Sequence, residues 1–87
     1  MKRILVLAAL ASAIASPALA DREPTAEERA RIEAALKAEG FTRWESIELE
    51  DDGTPVWEVD DAVAADGKEY DLDLDLTSLA IIKRDAD

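Results

Sequence analysis

The sequence predicts a small α+β domain: one N-terminal helix packed on one face of a three- to four-stranded antiparallel sheet, behind a cleaved signal peptide. Three observations lead there. Residues 69–76 alternate without exception between acidic and apolar side chains, the period of a half-buried strand. Two Asp-Gly pairs, Asp52-Gly53 and Asp66-Gly67, separate this stretch and its predecessors at hairpin spacing. Ahead of them, Thr25 and Glu28 stand three apart before a run of helix formers that stops at Gly40.

In chain order, Lys2 and Arg3 give a positive start, residues 4–15 carry no charge, and Ser16-Pro17-Ala18-Leu19-Ala20 ends in the small-x-small pattern of a signal-peptidase site. The apolar run is shorter than the roughly 20 residues a membrane span requires. Cleavage after Ala20 is therefore expected, leaving a chain free in the periplasm or secreted; no Cys follows to carry a lipid anchor. Residues 21–24 form a polar lead, residues 25–84 the domain and residues 85–87 a charged tail. Within the domain, Thr25 caps the helix and Glu28 reaches back to close a capping box, while Glu27 and Glu28 complement the helix dipole. Gly40 supplies a left-handed stop, which brings Leu36 and Phe41 together. Ile32, Ala35, Leu36 and Phe41 make a narrow apolar stripe that needs a sheet to cover it.

A first strand is expected over 44–50, with Ile47 and Leu49 inward. A second spans 56–63, with Trp57, Val59 and Val63 sharing a side. In the third, Tyr70, Leu72, Leu74 and Leu76 oppose Glu69, Asp71, Asp73 and Asp75. Residues 77–80 form a turn, and Ile81-Ile82 a short last strand before the tail. Trp57 belongs beneath the helix, and Tyr70 is core by phase with its hydroxyl at the edge. Trp44 has two readings. Strict alternation puts it opposite Ile47 as an exposed anchor for a partner; a strand that begins later lets it fold into the core, which is the commoner fate of large aromatics.

Composition narrows the function. The chain has 87 residues, 21 acidic against 10 basic, and neither His nor Cys. A disulfide framework, a thiolate nucleophile, and a histidine base or metal ligand are all excluded. Losing residues 1–20 removes two basic residues and no acidic one, deepening the net charge from −11 to −13. That charge repels nucleic acid and anionic lipid and favours cationic partners. Ser46 and Ser78 have no histidine to activate them, the Ser78 and Lys83 pair has no nucleophile-elbow context, and no Gly-rich phosphate loop is present. No enzyme activity and no cofactor are expected.

The helix with its Gly40 stop, a strand ending at Asp52-Gly53, the strand Trp57-Glu58-Val59, the turn Asp66-Gly67-Lys68 and the run Tyr70-Asp71-Leu72-Asp73-Leu74-Asp75-Leu76 together resemble the PepSY domain family, which occurs in protease propeptides and small secreted bacterial proteins. The resemblance covers the whole chain after residue 20. It implies an extracytoplasmic helix-on-sheet domain without catalytic residues that inhibits or regulates proteases or senses its surroundings. Members commonly close the penultimate strand with Asp, two variable residues, Thr, Gly and an apolar pair. Here the run Asp75-Leu76-Thr77-Ser78-Leu79-Ala80-Ile81-Ile82 follows that pattern, but Ser78 stands where Thr is usual and Leu79 where Gly is usual. Leu is costly at positive φ, so an altered turn is expected.

The candidate site residues follow from the acidic ladder. Asp71, Asp73 and Asp75, joined by Glu48, Glu50, Glu58 and Asp60, form either the solvated side of an amphipathic sheet or a functional wall of oxygen atoms. As a wall they suit a basic protein or a protease-like partner, with Trp44 as an added anchor. A strand edge offers a second docking mode. The rival reading is divalent-cation binding, with Asp71, Asp73 and Asp75 as metal candidates. An EF-hand loop starting at Asp71 would require glycine where Leu76 stands and glutamate where Ile82 stands. Alternate strand residues also lie about 6.6 Å apart, too far to share one ion without help from a neighbouring strand. Asp51-Asp52 and Asp60-Asp61 are acidic pairs of the kind found beside turns. The expected function is a non-catalytic extracytoplasmic binding or regulatory module; the residues leave its oligomeric state open.

Overall fold

A computed structural model describes residues 21–51 and 53–87; the expected signal segment, 1–20, lies outside them, as does Asp52. The order of elements is α1 (Ala26–Ala38), β1 (Phe41–Arg43), β2 (Ser46–Glu50), β3 (Val56–Ala64), β4 (Glu69–Asp75) and β5 (Ile81–Ala86). All strand pairs are antiparallel. β1 and β2 both pair with β3, and β4 and β5 follow in sequence order. Phe41 faces Ala64 and Arg43 faces Val63, whereas Ser46 through Glu50 face Asp60 through Val56. β1 and β2 are thus two pieces of one interrupted edge strand in a sheet four strands wide; the strand expected over 44–50 begins only at Ser46, and β1, which the alternation did not mark, is a fifth strand.

Helix α1 begins as its capping residues dictate. The Glu28 N–H donates to Thr25 Oγ1 at 3.2 Å, and the Thr25 N–H donates to Glu28 Oε1 at 2.9 Å. At the other end Gly40 takes φ 97°, and Leu36 and Phe41 are both buried. Ile32 and Leu36 then pack with Phe41, Ile47, Leu49, Trp57, Val59, Ala62, Leu72 and Leu74 into a single core on one face of the sheet. Tyr70 flanks this core, edge-on to Phe41 with ring centroids 6.0 Å apart.

The lead before the helix does more than its polarity suggests. Arg22 forms an isolated antiparallel bridge with Leu49, its N–H donating at 3.3 Å and its carbonyl accepting at 2.7 Å. Its guanidinium donates to both Glu28 oxygens, at 2.8 and 3.0 Å, and lies 5.6 Å from the centre of the Trp57 ring. One residue therefore ties the outer edge of β2, through its backbone, to the helix cap and the core indole, through its side chain.

Four expectations need correction. Val63 does not share the side of Trp57 and Val59. Between the pairs Val59–Leu72 and Ala62–Tyr70, β3 has two residues, Asp60 and Asp61, where β4 has only Asp71. This β-bulge, with Asp61 at φ 51°, shifts the phase by one and gives the core position to Ala62. For the same reason Asp60-Asp61 is a mid-strand bulge and not a pair beside a turn. The last strand extends beyond Ile82 to Ala86, taking in most of the expected tail, because residues 83–86 pair with residues 70–73. Finally, the turn at 77–80 keeps the backbone shape that glycine normally supplies, with Leu79 itself at φ 65°. Asp75 holds it there: its carboxylate accepts from the Thr77 and Ser78 N–H groups at 3.0 and 2.8 Å, its carbonyl accepts from the Leu79 N–H at 3.0 Å, and the Leu79 side chain packs against the core.

The Arg22 guanidinium and the capping contacts with Thr25 hold the Glu28 carboxyl at about 2, well below its ordinary 4.5. A depressed carboxyl stabilises the fold above its unfolded value and loses that contribution as pH falls through the folded one. Glu28→Gln is therefore expected to cost about 1 kcal/mol at pH 7 in urea unfolding, and the deficit to shrink between pH 4.5 and 2. A deficit unchanged across that window would contradict the capping role.

Candidate partner-binding face

The face of the sheet opposite α1 is built by the polar half of each alternating strand. Register places Glu48 opposite Glu58, Glu58 opposite Asp73, and Asp73 opposite Lys83. Three carboxylates thus stand side by side on neighbouring strands about 4.8 Å apart, and a single ammonium closes the row. Glu50 and Asp75 flank Val56 in the next row, and Ser46 Oγ donates to Asp60 Oδ2 at 3.1 Å on the other side. Carboxylate oxygens of Glu48, Glu50 and Glu58 lie within 4.8 Å of one another. A shallow depression of about 250 Å³ is lined by Glu50, Thr54, Val56, Glu58, Asp73 and Lys83.

The electrostatic consequence is concentrated on Glu58, the central residue. Partial burial first, then the charges of Asp60, Glu50, Asp73 and Glu48, push its carboxyl above the usual range. Like charges directly opposite one another destabilise a sheet, so this row is a place where the chain gives up stability.

A second acidic group surrounds the bulge. The Asp61 N–H donates to Asp71 Oδ1 at 3.0 Å, and carboxylates of Asp61, Asp71 and Asp87 lie within 4.8 Å of one another. The Asp87 N–H donates to the Glu69 carbonyl at 3.0 Å, which draws that residue in. A hydrogen bond shared with Asp61 raises the Asp87 carboxyl to about 6, and a similar contact with Asp61 raises Glu45. Asp61 is correspondingly lowered.

The structure therefore divides the residues that alternation grouped. Glu48, Glu58 and Asp73 come together in one row. Asp71 turns to the bulge. Asp75 caps the following turn, and its carboxyl is held low by the Ser78 and Thr77 N–H groups. Trp44 sits in the break between β1 and β2, half-buried against the core, and borders a depression with Arg43, Glu45, Asp61, Val63 and Glu69. Its place follows the reading in which the strand begins later.

Sequence reasoning missed Arg22, the Asp61 bulge and Arg84, whose guanidinium lies 5.5 Å from the Phe41 ring centre and 5.3 Å from that of Tyr70. A signal for the bulge was present. In Asp60-Asp61-Ala62-Val63 two polar residues precede two apolar ones, which breaks a two-residue period.

No curated protein and no solved structure gives a significant match to the chain. No helix among the described residues is long and apolar enough to cross a membrane. The family whose model does match is described as peptidase propeptide and YPEB domain, over residues 4–85. A match of that extent, on a chain whose single helix lies on an antiparallel sheet, shows that the protein belongs to the PepSY family.

Proposed function

We propose that the chain is a non-catalytic extracytoplasmic module that docks a basic surface of a partner protein, a secreted or periplasmic protease among them, on its open sheet face. The observation that carries this reading is the row Glu48, Glu58 and Asp73, with the Glu58 carboxyl raised by its neighbours. A cationic partner would relieve repulsion that the isolated chain sustains, so its binding would be favoured by more than the pairwise contacts. Family membership supports the protease connection, since the family description names peptidase propeptides. The leader expected in residues 1–20 supports an extracytoplasmic address.

Calorimetric titration with a lysine- and arginine-rich peptide, and separately with secreted proteases bearing basic surfaces, tests the face. Asp73→Lys is expected to weaken binding about tenfold or more, whereas Glu23→Lys, the same charge change in the lead to the helix, should weaken it far less. Equal effects would reduce the face to a diffuse contribution of net charge.

The same crowding predicts a stability effect. Because the Glu58 carboxyl is raised in the folded chain, its penalty is absent below its ordinary 4.5, grows as pH rises from there towards the folded value and is complete above it. Glu58→Gln should gain roughly 0.5 kcal/mol at pH 7 in urea unfolding and nothing at pH 3. A loss at pH 7 would show that Glu58 is held by favourable contacts.

A further inference from the structure

The geometry points to the edge of β5 that no described strand pairs as a self-complementary interface, on which a second copy of this chain adds its own β5 antiparallel across a two-fold axis at Arg84. β5 is the last strand of the sheet, paired on one side with β4. The opposite edge is partly covered, since Arg22 bridges the outer side of β2 at Leu49. Ile82, the one large apolar residue strongly exposed among the described residues, at 56%, also lies on β5.

Backbone phase identifies the groups available at this edge. The Asp87 N–H donates to the Glu69 carbonyl. In an antiparallel ladder the hydrogen-bonded pairs alternate, so Asp85 and Lys83 also turn their peptide groups to β4, and Arg84 and Ala86 turn theirs outward. A two-fold axis at Arg84 uses those outward groups on both chains.

The side chains then decide between this occupant and others. With the axis at Arg84, Lys83 of each chain stands opposite Asp85 of the other, giving two opposite-charge pairs on the open face. Moving the axis to residue 85 would oppose two aspartates. Within one chain Lys83 and Asp85 are exposed and only loosely paired at 3.6 Å, so both can exchange partners. The two Arg84 guanidiniums, which the symmetry brings near each other, are each drawn back over their own Phe41 and Tyr70 rings. In so acidic a chain, this edge is where like-charge repulsion between copies is replaced by matched charge. This edge shares Lys83 with the row around Glu58 but none of its carboxylates, and the inference stands whether or not that row binds a partner.

Sedimentation velocity on the chain lacking residues 1–20, from about 10 μM to about 1 mM, is expected to show monomer passing to dimer, as suits a small interface. Over the same range amide exchange at Arg84 and Ala86 should slow. Asp85→Lys is the decisive variant. It places a cation opposite Asp71 within the chain, which favours the β4–β5 pairing, yet opposes two ammoniums across the axis, so dimerisation should fall at least about tenfold with no loss of melting temperature. Ala86→Pro, which removes only an outward N–H, should do the same. A chain that stays monomeric to 1 mM overturns the inference. So does a dimer indifferent to both substitutions, or an edge that pairs only with an added foreign peptide.

Discussion

The constraint on which this structure depends is the parity of β4. Leu72 and Leu74 are 1% exposed, while the alternating Asp71, Asp73 and Asp75 point the other way. In a strand successive side chains must take opposite faces, so one choice of phase sets the whole sheet. It gives α1 a floor of Trp57, Val59, Leu72 and Leu74 to cover with Ile32 and Leu36. It also obliges the other face to hold its carboxylates in adjacent rows. Core and candidate site are two consequences of one alternation, and neither can be moved without the other.

That dependence explains which parts were legible in the sequence. The helix boundaries, the inward residues of β2 and β4, the order of strands from β2 onward and the acidic face all follow from short-range rules that Thr25, Glu28, Gly40 and residues 69–76 obey; the three-residue β1 does not. The bulge was harder because Asp61 adopts a positive φ that few residues tolerate, and because its effect is a phase shift visible only once β3 is laid against β4. Arg22 was illegible for another reason. Its partners Leu49 and Trp57 are distant in sequence, and nothing in the polar lead indicates that it will meet them as well as the nearby Glu28. Leu79 shows tertiary context overriding propensity, since Asp75 and the core together hold a conformation that leucine alone disfavours.

The site was legible in kind more than in membership. Period-two alternation correctly assigns Asp71, Asp73 and Asp75 to the face away from the helix, but it says nothing about what stands beside each. Register separates them into a bulge contact, a row with Glu58 and a turn cap. The crowding of charge consequently centres on the middle of the sheet, where Glu58 feels four other carboxylates. On the reading proposed above, this row is a surface that the chain's own folding does not satisfy, held at the expense of stability.

The most direct test of the parity argument compares neighbours on β4 in urea unfolding of the chain lacking residues 1–20. Leu72→Ala should cost about 2–5 kcal/mol, enough to leave so small a domain largely unfolded, whereas Asp73→Ala should change stability by no more than about 0.5 kcal/mol in either direction. Comparable losses at the two positions would contradict the account, because they would mean that both faces of β4 are packed.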